Sequence, residues 1–164
     1  MSLLSIRKFP DPVLRKPAVP VERIDRRIRS FVDSLIKTMR NQPGGIGIAA
    51  TQVGSLKQIA IVDVSLKVPN AGLVILINPV IVTFEDEEVF REGCMSLPDY
   101  TANVKRARRI TVKYQDIELK SCEIITSGLE ARCIQHEIDH LHGKLFLDRV
   151  ASVKSDVFPR KRYL

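Results

Sequence analysis

The sequence predicts an α+β fold in which mostly antiparallel sheets pack around a central helix bearing an H-E-x-x-H motif, with an amphipathic helix on the N-terminal side. Three observations predict it. Apolar residues recur at three-to-four spacing over 25–41, β-branched runs with short polar connections fill 57–126, and "QHEIDHLHG" (135–143) sets two histidines one helical turn apart.

The first helix runs from Asp25 to Asn41. Ile28, Phe31, Val32, Leu35, Ile36 and Met39 form its apolar stripe, and Arg26, Arg27, Arg29, Asp33 and Lys37 take the other face. Pro43 and two glycines in "NQPGG" forbid continuation. The strand-rich runs are "KQIAIVDV" (57–64), "LVILINPVIVTF" (73–84, bent at Asn78-Pro79), "RRITVKYQD" (108–116) and "LKSCEIIT" (119–126). Ser127 and Glu130 have the spacing of a capping box at the start of the histidine-bearing helix, and Gly143 stands where that helix should stop. With no repeat and no linker, residues 1–164 read as one domain.

Composition narrows the class. A 45% apolar share with 27% charged residues is globular, and the absence of a long uncharged apolar run argues against a membrane span. The start, "MSLLSIRKFPDPVLRK", suits neither a secretory signal nor a transit peptide, so a cytoplasmic location is expected. Cys94, Cys122 and Cys133 cannot all pair, which favours free thiols or metal ligation in a reducing compartment. The net charge of +7 reads first as a solvated basic surface. Its basic clusters, "KRARR" (105–109) and "PRKRYL" (159–164), come with three tyrosines, Tyr100, Tyr114 and Tyr163, and no tryptophan. A base-stacking platform is poorly supplied, and no sequence-specific DNA binding is expected.

His136 and His140 share one helix face and can grip one metal ion, whereas His142 points elsewhere. A third histidine at the far end of an extended H-E-x-x-H-x-x-G motif is ruled out, because Phe146 holds that position. Asp148 is too near, and Asp156 sits in a tail with little room for another helix. Among the cysteines, Cys133 is too far along the same helix to share an ion with both histidines, and Cys122 reads as a small core residue of a strand. Cys94, in "EGCMSLP" with Gly93 before it and Pro98 after, can be delivered by a rigid turn. Cys94, His136 and His140 would leave one tetrahedral position open, the mark of a catalytic site. A divalent ion there keeps net positive charge and acidifies a water molecule, with Glu137 placed to act as general base. "GIGIAA" satisfies a loose nucleotide-loop pattern, but it follows a helix and Pro43 rather than a strand. Its small residues Gly45, Ile46 and Gly47 better suit a cleft where an extended peptide pairs with main chain.

Three separated motifs, "GIGIAATQ" (45–52), "EGCMSLP" (92–98) and "QHEIDHLHG" (135–143), together with "FPDPVLRKPA" and "LINP" (76–79), resemble the peptide deformylases from near the start to about Arg149. The resemblance implies hydrolysis of the N-formyl group from the initiator methionine of nascent polypeptides in a bacterial-type cytoplasm, with Fe(II) as cellular metal and Zn(II) or other divalent ions able to replace it. It also implies that Gln52 and the Met95 backbone N–H stabilise the oxygen that gains charge, that Leu129 and Cys133 wall the methionine pocket, and that Glu92 and Gly93 touch substrate. Ile48, Met95 and the Asp99-Tyr100 pair depart from the family's commoner residues. Pro159 should stop any C-terminal helix, which leaves the basic surface as the route to transient ribosome contact. A general metalloprotease and an RNA-binding protein with a structural metal are the rival readings. Phe146 and Cys94 speak against the first, and the open ligand position against the second.

Overall fold

The computed structural model describes residues 2–161. Helix α1 (Arg26–Arg40) starts where the Asp25 carboxylate accepts the Ile28 N–H at 2.9 Å, and Asn41 closes it, as the periodicity predicts. Strands β1 (Gly47–Ala49), β2 (Ile59–Asp63), β3 (Leu73–Cys94), β4 (Leu97–Gln115) and β5 (Ser121–Ser127) pair antiparallel in that order. Helix α2 (Leu129–Leu141) follows, then a 3-10 turn (Phe146–Arg149), a short helix α3 (Val153–Asp156) and β6 (Val157–Pro159), which adds to β4.

Both faces of β2 are buried, which is why it reads as an unbroken apolar run. Ile59 and Ile61 pack with Val32, Leu35 and Met39 of α1, whereas Ala60 and Val62 pack with Ala131, Ile134 and Ile138 of α2. The sheet therefore lies between the two helices, and α2 is clamped against it. Among the described residues no helix is long and apolar enough to cross a membrane.

Several expectations need correction. Strand β3 does not end near Phe84 but runs on through the acidic stretch to Cys94, held to β4 by cross-strand charge pairs such as Glu85–Arg109 and Lys105–Glu87, each 3.4 Å. Pro98 lies inside β4 instead of ending a loop. The "KRARR" stretch is not a uniformly solvated basic surface, because Arg106 is buried and Lys105 and Arg109 are paired. No capping box opens α2: Ser127 is still in β5, Gly128 makes the turn at φ +68°, and Glu130 instead accepts the Thr126 hydroxyl at 2.7 Å. Cys122 is half-buried on an edge strand rather than in the core. Pro159 ends a strand, not a helix. The bend at Asn78-Pro79 is present as a register shift between Ile77 and Val80, with Asn78 at φ +50°. Arg162, Tyr163 and Leu164 of the basic ending lie outside the described residues.

Candidate metal centre and active site

Cys94 is the last residue of β3 and pairs with Leu97 across the tight turn Met95-Ser96, so its thiol is presented at a hairpin tip. His136 and His140 face it from α2. Cys94 Sγ lies 3.3 Å from His140 Nε2, and one ligand atom from each of the three residues falls within 4.8 Å of the others. Burial alone would raise the Cys94 thiol, but His140 and His136 outweigh it and hold it well below the ordinary thiol range. The thiolate, the ligating form, is what this pocket favours. His136 Nδ1 is 3.0 Å from Glu92 Oε2, which leaves Nε2 for a metal, and the Phe146 ring stacks on the imidazole at 6.3 Å between centroids. A third-histidine site is thus replaced by an aromatic wall.

Two buried polar atoms have no partner among the described residues, Glu137 Oε2 and His140 Nδ1. An orphaned carboxylate oxygen beside a thiolate and two imidazoles fits a metal and its water, as does the donor set itself. Burial pushes the Glu137 carboxyl up to about 7, against the pull of the two histidines.

The remaining predicted residues do not all face the metal ligands. Gln52 accepts the Ala49 N–H at 2.9 Å through Oε1, so its amide nitrogen points to Ser96 Oγ at 3.2 Å and Cys94 Sγ at 3.7 Å. A Cβ at Gly45 would come within 3.0 Å of Met95 Cε, so the start of the 45–47 segment lies against the hairpin tip. Cys133 Sγ lies 3.5 Å from the Ile46 carbonyl oxygen, and Leu129 and Ile46 both pack against the core cluster containing Cys133. Gly93 is exposed on the outer side of β3. Glu92 differs from expectation: its carboxylate is taken up by Arg106 and His136 rather than turned to the cleft.

Sequence reasoning missed the charges behind the metal face. Arg106 bonds Glu92 Oε2 at 3.0 Å and Asp139 Oδ2 at 2.9 Å, and Arg149 reaches Asp139 Oδ1 at 2.8 Å. Burial raises the Glu92 carboxyl, yet His136 and Arg106 prevail and bring it down to about 2. The available signal was an acid in each of two motifs, Glu92 and Asp139, with no partner assigned.

A sequence profile described as "Polypeptide deformylase" matches residues 3–156. The chain belongs to the polypeptide deformylase family. The peptide deformylase of Thermodesulfovibrio yellowstonii is 44% identical over 161 residues, covering 98% of this chain and 97% of that one. The crystal structure of peptide deformylase from Ehrlichia chaffeensis in complex with actinonin superposes with a TM-score of 0.88 at 39% identity, covering 94% of this chain and 92% of that one. That of the Thermotoga maritima enzyme gives 0.86 at 39% identity, over 93% and 100%. Membership in the deformylase family makes the chain an enzyme and supports an antiparallel α+β architecture for it.

Proposed function

We propose that residues 1–164 act as one catalytic domain that hydrolyses the formamide of N-terminal formyl-methionine on newly made polypeptides and releases formate. The observation that carries this reading is the buried, unpartnered Glu137 oxygen beside the Cys94, His136 and His140 ligand atoms. Cys94, His136 and His140 would hold a divalent ion, Fe(II) in the cell and exchangeable for Zn(II) or other divalent ions, which would supply Lewis-acid activation of water and carbonyl when bound.

Glu137 takes the proton from the attacking water and passes it to the departing amine, a task suited to a carboxyl with a pKa near 7. The Gln52 amide and the Met95 backbone N–H donate to the formyl oxygen as it gains charge. Gly45, Ile46 and Gly47 offer main chain to the extended substrate, with Gly93 on the opposite wall, and Leu129 and Cys133 enclose its methionine side chain. A formyl group carries only hydrogen on its acyl side, so a tight cavity admits it and excludes ordinary amides.

The cytoplasm is the expected location. Transient ribosome contact through the basic surface rests on exposed Arg108 and the stretch 159–161, since Lys105, Arg106 and Arg109 have acidic partners. Anaerobic purification, metal analysis and formate release from formyl-Met-Ala-Ser test the reaction. Activity on this peptide with none on acetyl-Met-Ala-Ser is expected; equal turnover of both would refute the steric account.

A further inference from the structure

We propose that Arg160 is a specificity-determining residue that reads the side chain following the formyl-methionine and favours aspartate or glutamate there, an inference that rests on the deformylase reading. Among the described residues, β2 pairs with β3 only over 73–77, so the edge of β3 from Glu88 to Cys94 has no strand beside it. On the deformylase reading, an extended substrate running between that edge and the 45–47 segment, whose Gly45 lies against Met95 of the hairpin tip, adds as a strand. Alternation along that strand then decides where each side chain goes. The methionine turns inward to Leu129 and Cys133, so the next side chain turns outward, to the face of β3 opposite Glu92 and Cys94.

On that outer face residue 93 is glycine, and an arginine fills the space. A Cβ at Gly93 would collide with Arg160 Nη2 and lie 3.3 Å from Cζ. The tail is held in place for this: Phe158 pairs with Thr101, the Arg160 N–H donates to the Asp99 carbonyl at 2.8 Å, and Arg91 stacks on the Phe158 ring at 3.7 Å. Arg160 is exposed, and no carboxylate among the described residues pairs with it. A guanidinium seated beside the substrate path without an acidic partner is suited to a carboxylate, which it can grip with two parallel N–H groups.

The test compares kcat/KM for formyl-Met-Glu-Ser and formyl-Met-Gln-Ser with the metal-loaded wild-type enzyme, Arg160→Gln and Arg160→Lys. Wild type should prefer the glutamate peptide about three- to fivefold at low salt, through KM, as an exposed ion pair allows. The preference should fade near 1 M salt, where the Debye length is about 3 Å. Arg160→Gln should bring the ratio to about one, and Arg160→Lys, which keeps the charge without the paired N–H grip, should retain part of it. Reading a ratio within each protein cancels any change in folded fraction. A wild-type ratio of one, or a preference that survives Arg160→Gln, overturns this assignment alone. Failure of the wild type to deformylate either peptide overturns the deformylase reading and this assignment with it.

Discussion

One carboxylate oxygen of Glu92 lies 3.0 Å from His136 Nδ1, and the other accepts from Arg106 Nε. This fixes which imidazole nitrogen faces the cysteine and keeps the ring from rotating. Glu92→Gln preserves the shape but weakens the acceptor and removes the charge that makes the imidazole a better donor. Metal affinity should fall about 10- to 100-fold, read by competition with a chromophoric chelator.

Arg106 is the shared cation of two buried carboxylates, Glu92 and Asp139, and its own side chain is 3% exposed. Arg106→Met would leave Glu92 without a guanidinium, whereas Asp139 keeps Arg149. Breaking a buried pair in this one-sided way costs about 3–5 kcal/mol. Urea unfolding should report that loss, and adding Glu92→Gln to the Arg106→Met protein should restore part of it. No recovery in the double variant would mean that the loss comes from packing rather than from a stranded charge.

Those two residues also mark where the sequence was legible and where it was not. Helix α1 announced itself through spacing, and the three clustered side chains that could hold a metal through a same-face histidine pair and a cysteine in a turn. Arg106 did not, since in "KRARR" it stands among arginines that are exposed, and only the pairing of β3 with β4 turns it inward. The long extension of β3 was hidden for a related reason: its Glu-Asp-Glu-Glu run is stabilised by charges on β4 and lacks the apolar alternation that signals a strand. Ser127 and Glu130 had the spacing of a capping box, but the left-handed turn at Gly128 leaves Ser127 paired with Arg109 in the sheet.

Gly47 is packed where no side chain fits. A Cβ there would fall 2.5 Å from Cys133 Sγ and 2.6 Å from Glu137 Oε1. Gly47→Ala should therefore displace Glu137 and narrow the pocket, lowering kcat/KM by at least about 10-fold, since small misplacements of a catalytic group carry large costs. Pairing it with Cys133→Ala relieves one of the two overlaps and should recover part of the activity. If Gly47→Ala is as active as the parent, the 45–47 segment does not wall the catalytic cleft.

Glu137 is the residue for which proton transfer and metal binding can be separated. It is not among the three clustered ligand side chains, and one of its oxygens is buried without a partner among the described residues. Glu137→Ala should abolish measurable formate release, and the isosteric Glu137→Gln should lose about 10²- to 10⁴-fold in kcat, the usual worth of a positioned acid-base group. Both variants should bind the divalent ion one to one, as measured by elemental analysis after gel filtration. Retained metal with lost turnover assigns Glu137 to proton transfer. Lost metal would move it into the ligand set, and retained turnover would require another base.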